Sequence, residues 1–316
     1  MVTIAGAFSG LISYGVFQIR SYIPGWKYLF IIEGGATLVL AAFAVWWLPR
    51  SGSECHWFNE AEKHVAKMRL LHDGSTRTGA ATKLEVKKAL RTLMDWHVWA
   101  WAVIAFCYGV PQSSVSNFMP QMVELLGYGT VRTNLLTVAP YCVGTVVLWC
   151  TCFSSDYFRE RSFHLASTLC LTLIGYIILI SVDPTSNKHV GYFACFLLAM
   201  GAFTCSCIYH TWYSNNIIDE SRRAATVGFL VGAANCAGIP SSLAFKDDTA
   251  PRYIPALIVN CAFLATGITM IVSMGTYLRL DNRRRDKLQG VHLRAQDIAT
   301  KDLIDGWNDP NWRWTV

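Results

Sequence analysis

Few side chains in this sequence are equipped for chemistry, and their spacing narrows what that chemistry is. Glu33 is the one acidic residue inside a long apolar stretch. Within Trp96–Phe118, Tyr108, Gln112 and Ser116 recur every four residues, with Ser113, Ser114 and Asn117 alongside and Pro111 interrupting the helical ladder. A kinked polar segment of this kind is stable in lipid only where it faces protein or water, so the stripe reads as cavity lining. It presents hydrogen-bonding groups without a nucleophile and base, which suits holding a carboxylate-bearing solute rather than cleaving one. Tyr141, Tyr209, His210 and Asn235 are candidates of the same type, and each is also an ordinary packing residue. Glu33 has two readings: a proton-coupling or gating carboxylate on a polar pathway, or a hydrated interfacial group that fixes helix packing. A buried carboxyl tends to be neutral unless it is paired, and the sequence names no partner.

Charge clusters form the second group. Asp156 with Arg159 and Arg161 has the composition of a gating network, as do Arg222 and Arg223 further on. The arginines alone would also follow from ordinary membrane topology, but Asp156 would not. Nothing resembles a phosphate-binding Walker loop, a Ser-His-Asp order or an HExxH helix, so no catalytic residue is assigned and an enzyme is not expected. Ten of the 11 cysteines lie in apolar stretches, and the Cys150/Cys152 and Cys205/Cys207 pairs are two apart, a spacing that points them away from one another. No metal or cofactor is predicted. The tripeptide Gly127-Tyr128-Gly129 lacks the preceding residues and the pore-helix context of an ion filter.

The elements that must position these groups are apolar helices. The 316 residues are 53% hydrophobic and only 15% charged, against roughly 25% charged in an average soluble domain. Eight stretches are long enough, or nearly so, to cross a hydrocarbon core: Val2–Ile19, Tyr28–Leu48, Trp96–Phe118, Leu135–Phe153, Phe163–Val182, Gly191–Tyr209, Ala224–Ser242 and Ile254–Leu278. The first is short and carries a small-residue face of Gly6, Gly10 and Gly15 suited to close packing. Of the 27 Lys and Arg residues, 21 fall in the loops and tail on one side and six on the other, which predicts both termini in the cytoplasm. The net charge of +6 follows from those loops and does not point to nucleic acid.

Pro49–Asp95 is the one long polar break, a linker between residues 1–48 and the six stretches of residues 96–278. Within it Asn59–Leu71 has the pattern of an amphipathic surface helix, and Lys83–Thr92 of a second. After Leu278 the chain opens with the basic run RLDNRRRDK, suited to anionic headgroups, and residues 279–316 lack a core period, which predicts a mobile cytoplasmic tail. Six interfacial tryptophans, Trp26, Trp46, Trp47, Trp96, Trp99 and Trp101, read as membrane anchors.

Several segments carry a resemblance. Gly25–Gly34 reads GWKYLFIIEG, Phe118–Tyr141 reads FMPQMVELLGYGTVRTNLLTVAPY, and Ser155–Ser162 reads SDYFRERS. Further on come Trp212, Asn215, Asn216, Arg223, Asn235, Gly238, Pro251 and Tyr253. Together they resemble the anion:cation symporter family of the major facilitator superfamily, which includes fungal allantoate, nicotinate and pantothenate permeases. Asp219 and Ala237 stand where that family usually has glycine. The resemblance implies an all-α membrane protein of the major facilitator helical-bundle type whose eight predicted spans correspond to helices five to twelve of twelve. It also implies proton-coupled symport of small organic anions by alternating access, in a multi-pass protein of the plasma membrane. Asp156, Arg159 and Arg161 would then form a gating turn. With four helices fewer than the family, the chain as it stands is expected to transport weakly or not at all, the alternative being a solute sensor or a truncated remnant. Its oligomeric state is not predicted.

Overall fold

A computed structural model describes residues 2–19, 24–49, 51–72, 91–124, 126–127, 130–183, 186–217, 219–250, 252–295, 298 and 306–316. Ten α-helices run through them: α1 Val2–Val16, α2 Gly25–Trp47, α3 Glu60–His72, α4 Trp96–Glu124, α5 Thr130–Phe158, α6 Ser162–Ser181, α7 Lys188–Asn215, α8 Glu220–Cys236, α9 Gly238–Ala244 and α10 Ile254–Gln289. Seven segments are long and apolar enough to cross a membrane, with α8 and α9 counted as one. The eighth predicted stretch is α1, at 15 residues too short to span alone. α3 is the expected surface helix, opened by a capping box in which Asn59 and Glu62 exchange backbone N–H bonds of 2.9 and 2.8 Å. Most of the Lys83–Thr92 stretch lies outside the described residues.

The core forms around α7, which packs against α4, α5 and α6. Without a hydrophobic drive between helices in lipid, close approach of backbones takes its place, and small residues permit it. Glycines serve the contacts of α5 and α6 with α7 and that of α4 with α8. Gly144 of α5 sits where a Cβ would lie 2.8 Å from the Ala199 carbonyl of α7, and Gly109 of α4 where it would lie 2.7 Å from the Ala234 carbonyl of α8. On α1, Gly6 faces the Tyr141 ring of α5 at 3.4 Å, whereas a Cβ on Gly15 would touch nothing within 4 Å. Of the predicted small-residue face, Gly6 therefore packs against α5 and Gly15 stays exposed. None of the 23 residues of α2 is buried, and Phe30, Leu38 and Val45 are fully displayed, so this helix is built to meet lipid or further protein.

Two expectations change. The stretch read as a single span, Ala224–Ser242, is broken at Ala237, because Pro240 has no N–H to give the Cys236 carbonyl. And the tail is not loose where it is described: Trp312, Arg313 and Trp314 are 3%, 2% and 4% exposed, folded back on the basic end of the bundle. A helical or strand period was the wrong criterion for this segment. It is an irregular strap, residues 306–316, whose backbone is held by side chains of the helices, among them Asn216, Asn282 and Arg285.

Candidate functional site

Two zones carry the candidate residues. The first is the crossing of α4 with α8 and α9. Gly109 lets the helices meet over Ala234 and Ala237, and a Cβ on Gly238 would lie 4.0 Å from Ser113 Oγ. Ser114 and Ser241 share a buried hydroxyl bond of 2.8 Å across the same seam. Tyr176 donates from α6 to the Pro111 carbonyl at 3.3 Å, supporting the interrupted ladder. Along α4 exposure rises from the buried Tyr108 through the half-buried Gln112 to Ser116 and Asn117 on the surface. The stripe is thus a ramp that starts in the core and opens outward.

Tyr108 forms the closed end, its ring 5.0 Å from that of Tyr209, whose hydroxyl donates to the Trp101 carbonyl at 2.7 Å. His210 joins Tyr213 through a 2.8 Å hydrogen bond. Asn235 is exposed beside the crossing and donates to Val231 at 3.0 Å, which leaves its amide oxygen facing outward. Tyr141 is placed elsewhere, buried between α1 and α7 with Phe203 at 5.6 Å. Glu33 lies exposed on α2, away from the ramp, its backbone carbonyl accepting from Thr37 at 2.8 Å.

The second zone is the basic end of the bundle. Arg161 reaches Asp156 at 2.5 Å and Ser155 Oγ at 2.9 Å, so two of the three predicted gating residues pair. Arg159 does not join them: it turns the chain in a left-handed conformation (φ 53°) and stays exposed. The hub is Glu160. Its carboxylate accepts from Ser162 Oγ at 2.6 Å, from the Phe163 N–H at 2.9 and 3.0 Å, and from Arg279 at 2.5 Å, with His164 at 3.1 Å. It therefore caps α6 and ties it to α10. Burial alone would raise the Glu160 carboxyl, but the bonds from Ser162, Phe163 and His164 and the Arg279 charge together hold it below the usual glutamate range. Sequence reading passed over Glu160 and Arg279. The local signal was an acid three positions before an apolar run, but the partner lies 119 positions away.

The sign for Glu160 is that of a depressed carboxyl. Its contribution is complete above the ordinary glutamate value of about 4.3 and is lost as pH falls below that toward its lowered value. Glu160→Gln should therefore lower the melting temperature of the purified protein at pH 7 and flatten the acid limb of its stability curve. A variant that melts like the parent at pH 7 would show that the hub contributes nothing.

The family-motif residues divide likewise. Trp212 is fully buried, edge-on to Trp101 at 4.5 Å, and donates to the Thr315 carbonyl at 2.9 Å. Asn216, 1% exposed, donates to the Trp212 and Thr315 carbonyls at 2.9 and 3.0 Å and accepts from the Thr315 N–H at 2.9 Å. Asn215 is exposed. Asp219 serves as N-cap of α8, accepting from the Arg222 N–H at 2.9 Å, so the departure from glycine gains a helix start. Arg223 bonds the Ile217 carbonyl through two nitrogens, at 2.9 and 2.6 Å, closing the α7–α8 turn. Tyr253 starts α10 in a left-handed conformation (φ 46°) against Phe245, while Pro251 lies outside the described residues. The strap also lays Trp314 on the His97 ring at 5.1 Å.

Residues 1–243 match the Major Facilitator Superfamily family. Among curated proteins the chain is similar to the MFS-type transporter efuF of Hormonema carpetanum, 57% identical over 99% of this chain and 63% of the relative. It is 46% identical to the major facilitator-type transporter hxnP of Emericella nidulans, over 98% of this chain and 63% of the relative. It is 27% identical to the high-affinity nicotinic acid transporter of Saccharomyces cerevisiae, over 94% of this chain and 54% of the relative. The chain thus spans just under two thirds of the length of the relatives it matches. With its helical bundle, its apolar spans and a family match over most of its residues, this chain is an integral, multi-pass membrane protein that belongs to the Major Facilitator Superfamily.

Proposed function

We propose that the chain serves in the transport of small carboxylate-bearing solutes, coupled to protons, by rocking of helical bundles around a central site. The observation that carries the reading is the α4 ramp, where Tyr108, Gln112, Ser116 and Asn117 run from core to surface beside the broken α8–α9 pair and Asn235. Polar groups and an interrupted helix at mid-membrane depth are tolerated only against protein or a water-filled cavity. A relative named as a nicotinic acid transporter supports a carboxylate as solute. Glu33, the acid inside an apolar helix, is the candidate for coupling, and the Asp156–Arg161 and Glu160–Arg279 pairs are candidates for closing the basic end. The excess of Lys and Arg at that end supports a cytoplasmic location for it.

The test is uptake of labelled nicotinate in permease-deficient yeast, with the chain expressed alone and together with the helices of a relative that it does not span. Uptake that collapses with a protonophore and falls at least tenfold in Gln112→Ala supports the reading. Uptake that ignores the protonophore removes the proton, and Glu33 with it. No uptake in either arm leaves the non-transporting alternative.

A further inference from the structure

α10 does not stop where its apolar stretch does. Tyr277 meets Trp96 edge-on at 5.2 Å where α4 begins, a pair of interfacial aromatics that marks the membrane boundary, yet the helix continues to Gln289. In sequence this extension is a basic run suited to anionic headgroups, but it also carries Asp281 and Asp286 among its cations. The fold sorts the charges. Asp281 accepts from Arg285 at 2.8 Å and from the Trp314 indole at 2.7 Å, and Asp286 accepts from Arg313 at 2.8 Å. Asn282 exchanges bonds of 2.8 and 2.9 Å with the Trp314 backbone, and Arg285 also donates to the carbonyls of Trp307 and Asp309. Arg279 is taken by Glu160. Both carboxylates therefore face the strap, and Arg283, Arg284 and Lys287 stay exposed together with Leu280.

We propose that this exposed side of α10 is a docking surface for the anionic phospholipid leaflet, and that the strap keeps it cationic by engaging the helix's two carboxylates on the opposite side. Distances agree with the assignment. Arg283 and Arg284 lie about 9–10 Å beyond Tyr277 along the axis, and the headgroup layer is roughly 5–8 Å deep. Arginine stems reach back over such a gap. Lys287, about 15 Å out, remains within one Debye length of about 8 Å from the outer edge of that layer. Leu280, about 4–5 Å beyond Tyr277, adds an exposed apolar side chain to the same face. The side of the membrane rests on the orientation proposed above, because anionic lipid is concentrated in the cytoplasmic leaflet. The lipid preference itself does not.

The experiment is native mass spectrometry of the full chain in detergent, titrated with phosphatidylserine or with phosphatidylcholine, a readout independent of orientation and of transport. The parent should retain phosphatidylserine preferentially, and Arg283→Gln, Arg284→Gln and Lys287→Gln should each reduce that preference by up to about fivefold. Arg313→Ala, which leaves all three cations in place but frees Asp286, should reduce it too. Equal retention of the two lipids, an unchanged preference in the triple Gln variant, or displacement of phosphatidylserine by millimolar inorganic phosphate alone would each overturn the proposal. Because the three Gln changes are on the surface, an unaltered melting temperature confirms that the variant is folded.

Discussion

Replacing Gly201 with valine should leave little correctly folded protein. A Cβ at this position of α7 runs into Thr172 Oγ1 and the Thr168 carbonyl of α6 and would lie 3.0 Å from the Thr172 N–H. A rotamer change moves the hydroxyl, but the carbonyl and the N–H belong to a helix backbone and cannot yield alone. The two helices must separate, and α7 is the element on which α4, α5 and α6 all pack. Overpacking a well-filled core costs about 1–3 kcal/mol where side chains can adjust, and a collision with backbone belongs at or above the top of that range. The measurement is the monodisperse fraction and melting temperature of detergent-purified protein. Gly201→Ala should already lower both, and adding Thr172→Ala should restore only part of the loss, because the Thr168 carbonyl remains. Full recovery in the double variant would mean that the hydroxyl was the whole obstacle and that α6 and α7 are less closely packed than described.

The second large effect is expected at Asn216. Its amide makes three hydrogen bonds, two with Thr315 and one with the Trp212 carbonyl of its own helix, in a nearly water-free site. Asn216→Ala leaves the Thr315 N–H without its partner and removes a donor from two carbonyls, at about 1–3 kcal/mol for each buried group left unsatisfied. The adjacent strap contacts, Trp212 on the Thr315 carbonyl and the Arg161 N–H on the Val316 carbonyl at 2.7 Å, would weaken with it. Asn216→Asp should be no better, since a carboxylate keeps the acceptor but turns its other oxygen toward the Trp212 and Thr315 carbonyls. Limited proteolysis after the α10 extension reads the outcome. Each 1.4 kcal/mol lost from strap docking multiplies cleavage by about ten where opening is fast. If cleavage of Asn216→Ala matches that of the parent, the aromatic contacts of Trp307, Trp312 and Trp314 hold the strap without the amide.

What could be read along the chain alone was whatever depends on one segment at a time. A run of about 20 apolar residues declares a membrane helix wherever it packs, and a capping box declares its own helix, so the spans and α3 were legible, as was the family through its motifs. The polar stripe of α4 was legible as a pattern, but not the fact that it begins in the core, which depends on α7 covering Tyr108. Helix ends were misjudged because hydropathy marks where lipid stops, while α5 and α10 continue beyond it.

Pairings between distant segments were decided only in three dimensions. Glu160 with Arg279, Asn216 with Thr315 and Asp286 with Arg313 join residues 119, 99 and 27 positions apart, and each requires a particular pair of elements to be neighbours. The same holds for the strap, whose tryptophans and arginine have no period of their own and gain burial from the helices beneath them and from one another. Composition and local pattern determined that this chain is a helical membrane protein of a known superfamily. Tertiary structure decided which of its charges are engaged within the protein and which are left exposed, because pairing depends on the distance between side chains and not on their order in the chain.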